Sequence, residues 1–268
     1  MNQPTAPAAI TAAEPLVLRV DFGGVCTLTL NRPKQYNALS SAVLTALQEQ
    51  LDSLAKDTST RVVVIAGTGT AFCAGHDLKE MRANYELGAT RALFDQCSRM
   101  MQTLIALPQP VIAKVHGIAT AAGCQLVAQC DLAIASDNAT FATSGINVGL
   151  FCSTPSVALS RNVSRKEAME MLLTGEFINA QTAKEKGLVN RVVPLDGLDA
   201  ELDKMIQAII AKPAPVLALG KKMFYEQLEM DMPTAYAHAS GVMACNFLMS
   251  EAAEGVDAFM QKRTPNWS

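Results

Sequence analysis

Two short segments constrain this chain more than any others. Phe72-Cys73-Ala74-Gly75-His76-Asp77-Leu78 and Ala121-Ala122-Gly123-Cys124-Gln125 each follow an apolar strand-like run and lead into a helix-like one. Turns of this kind present backbone N–H groups that have no partner inside the helix, with the positive end of the helix dipole behind them. Two such donors aimed at one point form an oxyanion hole, in which a single donor is worth about 3–4 kcal/mol of transition-state stabilisation. The glycines alone fit two ordinary strand-to-helix turns equally well, so the rest of the chain has to decide.

Strand-to-helix units recur along the sequence. Leu16–Asp21 and Val25–Leu30 flank Gly23-Gly24 as a hairpin, and Ser40 or Ser41 then caps a helix with Leu44, Leu47, Leu51 and Leu54 on one stripe. Val62–Ala66 and Val111–Val115 are apolar runs of strand length, with a helical segment, Thr90–Leu107, between them. A short helix over Cys124–Cys130 and a strand over Asp131–Ser136 follow, then helices over Arg165–Leu173 and Ala180–Lys186. From Leu198 the pattern is mainly helical, broken at Pro213 and Pro215. This divides the chain into a flexible tail over 1–14, rich in Ala, Pro and Thr, an α/β core over 15–197 and a helical C-terminal region over 198–268.

Charge and cysteine usage exclude several classes of function. The formal net charge is −3 and the basic residues form no run, so nucleic acid is not an expected partner. Seven cysteines at irregular spacings, with no CxxC pair, read as buried thiols of a reducing compartment. No apolar run is long enough to span a bilayer, and the N-terminal residues lack a basic flank followed by an apolar stretch; the expected location is the cytoplasm, with no membrane partner. Gly67-Thr68-Gly69 lacks the third glycine of a dinucleotide loop, and no G-x-S-x-G elbow is present. His76, His116 and His238 share no metal-ligand spacing, so no metal site is expected.

Asn31-Arg32-Pro33-Lys34, Asn37-Ala38-Leu39, the Phe72–Leu78 segment, Gly117 with Ala121–Cys124, and Leu173-Thr174-Gly175-Glu176 together resemble the enoyl-CoA hydratase/isomerase family, also called crotonases. Ala258–Pro265 is similar to the family's C-terminus, and Gly145–Pro155 looks most like its enoyl-CoA hydratase domain-containing protein 3 branch. The resemblance implies a spiral of ββα units with a C-terminal helical oligomerisation region, assembled as a homotrimer or homohexamer. It implies an acyl-CoA thioester as ligand, with CoA part of the substrate and no separate cofactor. By position, the backbone N–H groups of His76 and Ala122 would form the oxyanion hole, and Lys34, Ala38 and Ala74 would lie beside CoA. Asp77, Cys152 and Ser153 are further candidates for the substrate pocket.

Two acids are missing from this pattern. Typical hydratases of the family use two glutamates to deprotonate water and protonate the α-carbon; here the aligned positions hold Gln125 and Gly145. An amide cannot exchange a proton near neutral pH, and each general acid/base group is worth about 10²–10⁴-fold. The position of a carboxylate used by some family isomerases aligns with Ser153. His76 can titrate near neutrality, or it can simply follow a useful backbone N–H; the Gly75-His76-Asp77 string resembles that of methylmalonyl-CoA decarboxylases, where a polarising site without an ordinary base suffices. Asp77 reads as an acid or as a helix N-cap, Cys124 and Cys152 as nucleophiles or small core residues, and Asn147 and Ser153 as water ligands or loop ties. The expected function is an acyl-CoA enzyme of fatty-acid or related metabolism that stabilises a thioester enolate. The alternatives are a non-catalytic acyl-CoA-binding protein and a malonyl-type acyl-CoA decarboxylase.

Overall fold

The computed structural model of the protein describes residues 14–267, so the expected tail over 1–14 lies outside the described residues but for Glu14. A repeated strand, strand, helix unit builds the fold. The first consists of β1 (Val17–Phe22), β2 (Val25–Leu30) and α1 (Ser41–Leu54). Ser40 caps α1, its hydroxyl accepting the Val43 N–H at 3.3 Å, and Leu44, Leu47, Leu51 and Leu54 are fully buried beneath it. The second unit is β3 (Val62–Gly67), β4 (Ala71–Cys73), α2 (Leu78–Ala83) and α3 (Leu87–Ala106); the third is β5 (Val111–Val115), β6 (Ile118–Thr120) and α4 (Ala122–Gln129). The fourth is β7 (Leu132–Ser136), β8 (Thr140–Ala142), α5 (Ser153–Leu159) and α6 (Arg165–Thr174), after which β9 (Ile178–Asn179), α7 (Ala180–Glu185) and β10 (Arg191–Val193) close the core.

Both strands of the first unit, the first strands of the next three and β10 form a six-stranded sheet in the order β1-β2-β3-β5-β7-β10, parallel except for the β1/β2 hairpin. The second strands of the later units, with β9, form a four-stranded sheet, β4-β6-β8-β9. β3 reads as an unbroken apolar run because both of its faces are covered. Val63 and Ile65 face the main core with α1 and α3, while Val62 and Val64 meet Leu202 and Ile206 of α8 (Leu198–Ile210) on the opposite face. The strands of the smaller sheet are two or three residues long, too short to show a period, and the sequence reading contains none of them as strands.

Beyond α8 come α9 (Ala214–Gln227), α10 (Met232–Phe247) and α11 (Ser250–Met260). A buried polar cluster ties α9 to the core. The Lys221 ammonium pairs with Asp131 at 2.7 Å and donates to the Leu104 and Gln109 carbonyls, while the Tyr225 hydroxyl donates to Asp131 at 2.8 Å. In contrast, α10, α11 and the link between them leave Met232, Tyr236, Phe247, Leu248 and Phe259 largely exposed.

Candidate functional site

The two segments singled out from the sequence meet where β4 and β6 end. Gly75 has φ +89°, and a Cβ added there would lie 2.9 Å from the Ala121 Cβ and 3.2 Å from the Ala122 backbone N, so only glycine lets the turns approach this closely. Gly123 performs the same service one turn on: an added Cβ would fall 2.0 Å from the Cys73 carbonyl oxygen. These contacts fix the start of α4 against the end of β4.

Two backbone donors result. Ala122 is the first residue of α4, and its N–H has no acceptor among the described residues. His76 forms a parallel bridge with Leu39 through its neighbours: the Leu39 N–H donates to the Gly75 carbonyl at 2.8 Å and the Asp77 N–H to the Leu39 carbonyl at 3.2 Å. Because successive backbone groups of an extended segment point to opposite sides, the His76 N–H faces away from Leu39, and it too lacks an acceptor among the described residues. The residue that pays for this turn is Ala121, with φ 50° and ψ −120°, a region that L-residues rarely occupy. Ala122 itself is helical.

Both residues line a cavity of ≈ 350 Å³. One side is formed by Leu78, Met81 and Phe94 of α2 and α3, the other by the segment running from Ser144 to Pro155. Among the described residues no Asp, Glu, Lys or Arg lines it. The His76 ring packs edge-on against Phe94 at 5.3 Å, and both ring nitrogens are buried without a hydrogen-bond partner. Burial pushes the imidazole pKa down, partly countered by the Leu39 carbonyl and the charge of Glu80, so the ring is neutral at pH 7.

The remaining candidates divide between wall and surroundings. Ala74, Gly145, Cys152 and Ser153 line the cavity; Gln125, Asp77, Lys34 and Ala38 do not. Gln125 lies one turn along α4, 4% exposed, with an unpartnered Oε1. Gly145 has no room for any side chain, since an added Cβ would sit 2.5 Å from the Leu150 carbonyl oxygen and 2.9 Å from the Cys152 Sγ. Asp77 caps α2 by accepting the Lys79 and Glu80 N–H groups, and it pairs with Arg32 at 3.0 Å. Burial raises its pKa, but Arg32 and the α2 amides outweigh this and hold the carboxyl below the usual range. Lys34 is exposed on a short turn, and the Arg32 guanidinium donates to the Ala38 carbonyl at 2.9 Å. The Cys152 thiol is pushed up by burial and the Cys124 thiol is pushed up to about 12, so neither is a thiolate at neutral pH. The Asn147 amide donates to the Gly175 carbonyl at 3.3 Å, which ties the loop.

Leu78, Met81 and Phe94 were not foreseen as wall residues. On α3 the buried residues are Leu93, Cys97, Met100, Met101 and Leu104, and Phe94 falls on the same stripe three residues before Cys97, so its spacing reads as an ordinary core position and does not signal a cavity.

Comparison with known proteins agrees with this architecture. The sequence model of the enoyl-CoA hydratase/isomerase family matches residues 22–268. The enoyl-CoA hydratase domain-containing protein 3, mitochondrial, of Xenopus laevis is 46% identical over 254 residues, which cover 95% of this chain and 86% of that protein. The crystal structure of an enoyl-CoA hydratase from Mycobacterium smegmatis superposes with a TM-score of 0.94 at 58% identity, covering 95% of this chain and 99% of the other. The crystal structure of human enoyl-CoA hydratase domain-containing protein 3 gives a TM-score of 0.91 at 45% identity, covering 94% and 100%.

One expectation is overturned. The Xenopus protein and its rat, human and zebrafish counterparts are named as mitochondrial, which contradicts the cytoplasmic placement drawn from the sequence. That placement rested on the lack of a secretory-type N-terminal pattern and of a membrane-spanning run, with the cysteines read as thiols of a reducing compartment, and none of these distinguishes one such compartment from another.

Proposed function

The chain belongs to the enoyl-CoA hydratase/isomerase family, in the branch of enoyl-CoA hydratase domain-containing protein 3, and on that premise we propose that it binds an acyl-CoA thioester with the carbonyl oxygen between the N–H groups of His76 and Ala122. The observation that carries this is the pair of unpartnered backbone donors on the wall of one apolar cavity. They stabilise the negative charge that develops on the thioester oxygen when an enolate forms. Ala74 at the wall, with Lys34 and Ala38 on the adjoining loop, is placed beside CoA; Cys152 and Ser153 flank the acyl group, and Asp77 acts through its cap on α2. The exposed apolar side chains of α10 and α11 are covered by further copies of the chain in a trimer or hexamer.

Ordinary hydration by two glutamates is not the reaction we assign. Gln125 lies outside the cavity wall and position 145 is closed to any side chain. The lack of wall carboxylates favours a second reading, decarboxylation of a malonyl-type thioester. There the bond from Cα to the carboxylate breaks, its electron pair enters the enolate held by the two N–H groups, carbon dioxide leaves, and Cα takes a proton from solvent.

Calorimetric titration with butyryl-, crotonyl- and methylmalonyl-CoA beside free CoA, followed by assay of each for turnover, tests the proposal. Thioesters are expected to bind more tightly than free CoA. Binding without turnover of any of them leaves an acyl-CoA-binding protein, and absence of thioester binding refutes the reading.

A further inference from the structure

We infer that the His76 side chain is the proton-transfer group of this site, taking a proton from the α-carbon of the bound thioester. This rests on the acyl-CoA reading above. Four observations on one residue converge. First, His76 lines the cavity, and among the described wall residues the only other titratable side chain is Cys152, whose thiol burial keeps protonated. Second, the backbone N–H of the same residue is one of the two donors to the thioester oxygen. The α-carbon is bonded to that carbonyl carbon, so the residue that holds the oxygen also carries a base beside the acidic C–H bond.

Third, both ring nitrogens are buried and unpartnered. A histidine kept only for packing would have its N–H satisfied by the protein, because a buried donor without an acceptor is costly. The ring's approach to the Leu39 carbonyl raises its basicity but falls outside hydrogen-bond geometry, so rotation about Cβ–Cγ can turn a nitrogen toward a ligand, and such contacts commonly tighten only in the complex. Fourth, the electrostatic surroundings keep the ring a base. From α2 the neighbouring charges are Glu80 and Asp77, the latter neutralised by Arg32; α3 contributes the Phe94 ring, and Cys152 is the titratable group of the 144–155 segment. Glu80 is itself engaged by the Ser41 backbone N–H and hydroxyl.

The step balances without a co-reactant. An imidazole nitrogen lone pair takes the proton as the Cα–H bond breaks, the bonding electrons move into the enolate, and its oxygen accepts from the His76 and Ala122 N–H groups. The imidazolium then returns a proton to carbon.

In deuterated water this reversible step exchanges the α-protons of butyryl-CoA, a saturated thioester that needs no further chemistry, and mass spectrometry counts the deuterons. Every substitution at position 76 retains a backbone N–H except proline, so side chain and oxyanion donor are separable. His76→Gln and His76→Asn are expected to lower the exchange rate about 100-fold or more while the dissociation constant for butyryl-CoA stays within a few-fold. The unaltered protein provides a test that depends on no variant: its exchange rate should rise with pH and level off with a midpoint below 6.5, the ordinary imidazole value. Exchange by either variant at the rate of the unaltered protein overturns the inference, as does a rate independent of pH, or butyryl-CoA that binds without exchanging. Failure of butyryl-CoA to bind at all refutes the acyl-CoA reading itself, and the assignment of His76 falls with it.

Discussion

Replacing Ala121 with glycine is expected to stabilise this protein, against the usual effect of adding a glycine. Ala121 is held at φ 50° and ψ −120° by the turn between β6 and α4. A backbone in so sparsely populated a region costs about 1–3 kcal/mol, and glycine removes most of that cost. Two terms oppose the gain. Glycine widens the unfolded ensemble, worth about 0.4–1 kcal/mol. The lost methyl group is only partly buried against the core, so it forfeits roughly half of the ~0.8 kcal/mol of a fully buried one. The balance is a gain of about 1 kcal/mol, or a rise in Tm of about 2–4 °C for a chain near this size. Denaturant melts and differential scanning calorimetry on both proteins measure it. A fall in Tm of similar size would refute the reasoning and show that the turn relaxes around Ala121 without strain.

Gly145→Ala drives a Cβ to 2.5 Å from the Leu150 carbonyl oxygen, a backbone atom, and should cost about 1–3 kcal/mol in a urea melt; an unchanged midpoint would mean that the 145–152 segment yields freely. Asp77→Ala removes both a cap and an ion pair and should cost about 1–2 kcal/mol at pH 7, whereas Asp77→Asn retains the cap and should cost less than about 1 kcal/mol. Because the Asp77 carboxyl titrates below its unfolded value, its charge stabilises the fold above about pH 4 and that contribution is lost as pH falls through the folded value. The gap between Asp77→Asn and the unaltered protein should therefore close on acidification, and a gap that widened would contradict the assignment. Lys221→Met leaves Asp131 without its buried cation and should destabilise by about 3–5 kcal/mol, with part recovered on adding Asp131→Asn; calorimetry of the single and double variants checks both statements.

Much of this protein was legible in its residues. The hairpin over Gly23-Gly24, the Ser40 cap with its leucine stripe, and the buried strands β3 and β5 follow from local period and turn chemistry, which act over a few residues. The two glycine-bearing turns could also be read directly, whereas the reading of Gln125 and Gly145 as positions of missing acids came from the family resemblance. Tertiary structure decided the rest. The short strands of the second sheet exist only because neighbours from distant parts of the chain pair with them. Phe94 and Met81 reach the cavity through the packing of α2 and α3, and Gln125 is kept out of its wall though it shares α4 with Ala122. Sequence showed the two glycine-bearing turns, since backbone turns are written locally, and the family resemblance pointed to His76 and Ala122 within them. That His76 and Ala122 line one cavity, with no carboxylate among its described wall residues, depends on contacts between segments about 45 residues apart, and only the folded chain supplies those.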